Sequence, residues 1–117
     1  MAWTDEIASL NTELDQMQYY HDWFSGVNRE YTINISGVAN EVRTANGRDG
    51  FWADWRTDNP SVTEGFLFDR WEEWDAQDHA AYNADKISVL NTQMAALNAD
   101  KTNLQSNIDN GVVDAGL

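Results

Sequence analysis

The sequence predicts a mainly α fold: an N-terminal amphipathic helix, an aromatic-rich middle with at most a small β element, and a long C-terminal coiled-coil helix. Three observations carry that prediction. One phrase is used twice, as Ile7-x-x-Leu10-Asn11-Thr12-Glu13-Leu14-x-x-Met17 and as Ile87-x-x-Leu90-Asn91-Thr92-Gln93-Met94-x-x-Leu97. Both copies space apolar residues alternately three and four apart, which is the a/d seam of a coiled coil. The second copy runs on through Lys101, Leu104 and Ile108, giving a stripe of about four heptads. Finally, twelve of the fourteen aromatic residues lie between Tyr19 and Trp74, so the dense core belongs to the middle of the chain.

Taken in order, Thr4 followed by Asp5 and Glu6 predicts a helix start, a hydroxyl cap with carboxylates that complement the helix dipole. The seam then reads Trp3, Ile7, Leu10, Leu14, Met17, His21 and Phe24, and Ser25-Gly26 supplies the stop. Such a helix is about 30 Å long. From Asn28 the pattern changes, because Tyr31, Ile33 and Ile35 alternate with Thr32 and Asn34, which predicts a short strand ending at Ser36-Gly37. Val38 to Thr44 reads as a second strand or a helical turn, and Asn46-Gly47 and Asp49-Gly50 read as turns.

The single proline, Pro60, precedes Ser61-Val62-Thr63-Glu64, a capping-box pattern that predicts a helix through Phe66 to Trp74. Its apolar phase at Leu67, Trp71 and Trp74 does not run into the next stripe, so a bend is expected between Asp75 and Asp78. The last helix, from about Asp78 to Asn110, carries Ala80, Asn83, Ile87, Leu90, Met94, Leu97, Lys101, Leu104 and Ile108 on its seam, and Gly111 ends it. At about 50 Å it is longer than the first helix can cover. The whole reads as one domain of 117 residues with segments 1–26, 27–77 and 78–117.

Composition excludes several functions. Net charge is -13, spread along the chain without an acidic tail, so a bare phosphate backbone is repelled and nucleic-acid binding is not expected. No cysteine is present, which removes disulfides and thiolate metal sites. No apolar run approaches the ~18 residues that span a bilayer, and the acidic start is unlike a standard secretory signal. No catalytic, metal or nucleotide motif occurs. Glu72/Glu73 and Asp54/Asp58 have nothing to separate an acid from a base, and His21 and His79 belong to no H-x-x-x-H pair. Neither a catalytic residue, a metal ligand nor a cofactor is expected.

What remains is association. His21, Asn83 and Lys101 interrupt the seams, as polar residues do where they fix register and copy number. Two Trp-x-x-Trp pairs, Trp52/Trp55 and Trp71/Trp74, sit beside carboxylates. They suit core or subunit packing, and, if exposed, a glycan- or receptor-binding platform of flat rings with acids to accept hydroxyl hydrogens. An acidic DNA mimic is a further class, diluted here by the five arginines of the middle segment.

A short, acidic, cysteine-free chain rich in asparagine and tryptophan with an uncovered heptad seam resembles, as a class, the accessory head, fibre and tail proteins of tailed bacteriophages. The resemblance implies a non-enzymatic structural protein of the virion whose partners are copies of itself and other structural proteins. The expected oligomer interface is Ile7, Leu10, Leu14, Met17, Ile87, Leu90, Met94, Leu97, Lys101, Leu104 and Ile108. Isoleucine at a with leucine at d favours two strands, but Ala80, Met94 and Lys101 at a blur the preference, and a trimer is placed ahead of a dimer.

Overall fold

A computed structural model of the chain describes residues 2–34 and 40–112. Along it run α1 (Trp3–Ser25), β1 (Asn28–Ile33), β2 (Glu41–Asn46), α2 (Gly47–Asp58), α3 (Phe66–Asp75) and α4 (His79–Asp109). The fold is mainly helical, with a long C-terminal helix and one two-stranded sheet. The chain divides into two compact units, a terminal one of Met1–Tyr20 with Ser88–Leu117 and a central one of His21–Ile87. Residue 26 follows the end of α1 and residue 77 lies between α3 and α4, whereas the unit boundaries fall inside α1 and α4.

In the central unit β1 and β2 form an antiparallel hairpin, paired from Asn28↔Asn46 to Ile33↔Glu41. Tyr31 is buried and Ile33 half-buried between exposed neighbours, the alternation that the sequence shows. Ile35 to Gly37, where the strand was expected to end, lie outside the described residues. The sheet's inward positions on β2 are Glu41, Arg43 and Ala45. Arg43 bonds Glu41 at 2.6 Å and Asp58 at 2.5 Å, tying β2 to the end of α2. Burial alone pulls the Arg43 pKa down, but the hydrogen bonds and charges of Asp58 and Glu41 outweigh it and the net shift is upward.

Asn46-Gly47 and Asp49-Gly50 are not two turns: α2 starts at Gly47 without a loop and takes Asp49 and Gly50 into its first turns. The reason is backbone freedom at one residue. Gly47 has φ +68°, and a Cβ there would run into the Gly26 backbone. A glycine lets the chain turn from strand to helix where the two segments touch. The buried face of α2 is Arg48, Phe51, Trp52 and Trp55, a helical i, i+3, i+4, i+7 stripe. Trp23 meets both Tyr31 and Phe51 edge-on, at 5.1 and 5.2 Å, and the edge-to-face chain continues through Phe51–Trp52 and Trp52–Trp55. This is the preferred aromatic geometry and the core of the unit.

The segment between α2 and α3 is held by Arg56, whose guanidinium donates to the carbonyls of Asn59 and Val62 and lies 4.3 Å over the Trp71 ring. The expected capping box is not formed. Gly65, with φ +104° and no side-chain bond, stands at the cap of α3. The Arg56 bonds hold the chain ahead of it in a different course. The bend expected at 75–78 is a full break between α3 and α4, with Asp78 Oδ1 accepting from the Ala81 amide as the cap of α4.

In the terminal unit α1 and α4 contribute an antiparallel pair, since Ile7 faces the turn that holds Asp109 and Asn110 while Asn11 meets Lys101. Ala2, not Thr4, is the cap of α1: its carbonyl accepts the amides of Asp5 and Glu6, so the helix opens two residues earlier. At the far end of α4, Gly111 adopts φ +70° and the Val112 amide reaches back to the Asn107 carbonyl, a glycine-closed C-terminus.

Candidate functional site

Three places correspond to the residues singled out from sequence, and a fourth emerges only in three dimensions. Trp52 and Trp55 are 4% and 3% exposed. They are core, on the α2 face that packs toward the hairpin, and Trp52 also lines a cavity of the central unit. Trp71 and Trp74 are half-buried. Trp71 packs beside Phe68 at 5.7 Å beneath Arg56. Trp74 lies flat on His79, ring centroids 4.2 Å apart, and donates from Nε1 to Asp49 Oδ1 at 2.9 Å. Each ring of this second pair thus has one face already occupied.

The seam of the terminal unit is brought together but not closed. Leu10 and Leu104 line one groove between the helices with Glu6 and Asp100, and Ile7 and Lys101 line a second one. Lys101 Nζ donates to Asn11 Oδ1 at 2.9 Å, so this polar seam residue finds its partner within the chain. Leu14, Met17, Leu90, Met94, Leu97 and Ile108 are half-buried like the others, and neither helix has a buried residue anywhere along its length. Ile87 belongs to the central unit, as does Asn83. Asn83 is not a register device of the seam: it donates to Asp49 Oδ2 at 3.0 Å and accepts from Arg48 at 3.1 Å.

The place that sequence reading misses is a cavity of about 260 Å³ in the central unit. Its aromatic lining is Trp23, Trp52, Phe66, Trp74 and Tyr82, and its polar lining is Arg48, Arg70, Glu73 and Gln77. Arg48 is only 6% exposed. Its guanidinium donates to Asn83 Oδ1 and Gln77 Oε1 and lies 4.4 Å from the Tyr82 ring centroid. The carboxylate nearest to it, Asp49 at 3.8 Å, already accepts from Trp74 and Asn83. Burial pushes the Arg48 pKa down from its ordinary value, against the opposing charges of Tyr82 and Asp49, yet a guanidinium stays charged at neutral pH. Arg70 bonds Glu73 at 2.7 Å, while its Nε is shielded from solvent and has no hydrogen-bond partner. One signal for Arg48 was present in the sequence: it precedes Phe51, Trp52 and Trp55 by three, four and seven residues, on their face of a helix.

No protein-family model, curated protein or solved structure matches the chain. Among the described residues no helix is long and apolar enough to cross a membrane, and no three His, Asp or Glu side chains gather to hold a metal ion.

Proposed function

We propose that the protein is a non-enzymatic structural module that assembles with copies of itself through the helices of its terminal unit, as an accessory head, fibre or tail component of a phage virion. The observation that carries the reading is the half-covered seam: in the terminal unit, seam residues of α1 and α4 line two open grooves, and none of the seam residues is buried. Helices with half-covered a/d residues gain by adding further helices to the bundle. A second copy is a fitting partner because the two helices carry the same phrase, so each pair presents the stripe that the other needs. Non-enzymatic action rests on the lack of a catalytic constellation in the sequence, and the virion on the class resemblance.

Light scattering after size exclusion tests it. A mass of three chains is expected, two chains equally support self-assembly, and replacing Leu90 and Leu97 with glutamate should return a monomer. A single-chain mass at micromolar concentration, unchanged in that variant, overturns the proposal.

A further inference from the structure

The central unit holds a buried cationic group whose counter-charge, Asp49, stands off at 3.8 Å and is shared with Trp74 and Asn83. Arg48 is buried, and both of its short bonds go to neutral side-chain amides. Burying a charge is costly unless a counter-charge meets it, and a guanidinium carries five donors in a fork that fits a carboxylate. Arg70, at the same cavity, adds a second cation and an Nε–H without an acceptor. Against these stand Glu73 in the lining and Asp49 behind Arg48, so the lining itself is one positive charge in excess and suits at most a singly charged ligand, not a doubly charged phosphate.

Its walls specify the rest of the ligand. Trp23, Trp74 and Tyr82 supply flat apolar surface, while Glu73 and Gln77 supply groups that bond hydroxyls. At about 260 Å³ the cavity lies below the ~300 Å³ at which pockets begin to take drug-sized ligands. A single sugar ring suits that space, and a nucleotide does not. We propose that this cavity binds a carboxylate-bearing monosaccharide unit of the uronic-acid class, its carboxylate on Arg48 and Arg70 and its ring against Trp74 and Tyr82. The site is confined to the central unit and is independent of whether the terminal unit assembles.

Titration of the full chain with methyl glucuronide, followed by tryptophan fluorescence and by calorimetry, tests this. Saturable binding is expected, with methyl glucoside weaker by roughly tenfold or more, since the neutral sugar forfeits the charge-assisted bonds. Arg70→Gln, at a half-exposed side chain, should weaken the glucuronide by a similar factor and leave the glucoside unchanged. Arg48→Gln should abolish the preference for the acid, with circular dichroism confirming that the variant is folded. Absence of saturation, equal binding of the glucoside, or an unchanged affinity in Arg70→Gln overturns the proposal. Benzoate binding as tightly as the glucuronide overturns its sugar part.

Discussion

At the scale of single residues, the central unit is held by a few large side chains, and its sensitivity should be concentrated in them. Trp55 is 3% exposed and stacks edge-on with Trp52. Trp55→Ala should cost about 3–5 kcal/mol, a large share of the stability of a small domain. Urea denaturation measures it, and a loss below about 1 kcal/mol, typical of a surface position, would contradict the packing described. Gly47→Ala should be worse than Gly26→Ala, although both glycines have positive φ. A Cβ on Gly26 finds its nearest atom at 3.8 Å, whereas one on Gly47 collides with backbone. The left-handed conformation costs an alanine about 1–3 kcal/mol, and only Gly47→Ala adds a clash to it. Equal melting temperatures for the two variants would refute the close approach. Trp52 and Trp55 share a helix face in the sequence, but whether that face turns inward was not readable, because burial depends on the hairpin opposite it. Arg48 was hidden for another reason. It stands between Asn46-Gly47 and Asp49-Gly50, two dipeptides with strong local turn preference, and only packing against Tyr82, Gln77 and Asn83, far along the chain, makes that stretch a helix.

At the scale of elements, the periodic segments were the legible ones. The seams of α1 and α4 give each helix its extent to within a residue or two, and the phase change after Trp74 marks the break between α3 and α4. Caps were less legible, because a cap is a bond and not a composition. Thr4 and Ser61 have the right side chains, yet Ala2 and Gly65 occupy the cap positions. Asp78 does make its bond, to the Ala81 amide at 3.2 Å. Asp78→Ala should therefore destabilise the chain by about 1 kcal/mol, while Thr4→Ala should cost only a few tenths. Thermal denaturation of both variants checks this, and a larger loss for Thr4→Ala would reverse the assignment. The hairpin was half legible. Tyr31 and Ile33 alternate as strand residues should, but β2 turns Arg43 inward and leaves Val42 50% exposed. The hydrophobic pattern alone would choose the opposite face, and the carboxylates of Glu41 and Asp58 that hold Arg43 decide otherwise.

At the scale of the whole molecule, charge sets the conditions under which assembly can occur. The five arginines and Lys86 all belong to the central unit, which leaves Lys101 as the one basic side chain of the terminal unit against Asp5, Glu6, Glu13, Asp15, Asp100, Asp109 and Asp114. Copies that associate through the terminal helices therefore bring uncompensated carboxylates together. Hydrophobic burial along the seam must outweigh that repulsion, and burial is little changed by ions at concentrations where charges are already screened. Both the mass in solution and the melting temperature should rise between about 0.01 and 1 M sodium chloride, as the Debye length falls from ~30 to ~3 Å. Assembly driven by charge pairs, with a basic partner or between oppositely charged patches, has the opposite dependence and weakens as salt is added. Light scattering and thermal melts across this range separate the two. A mass that falls with salt would show that the acidic side chains, not the half-covered apolar seam, hold the copies together.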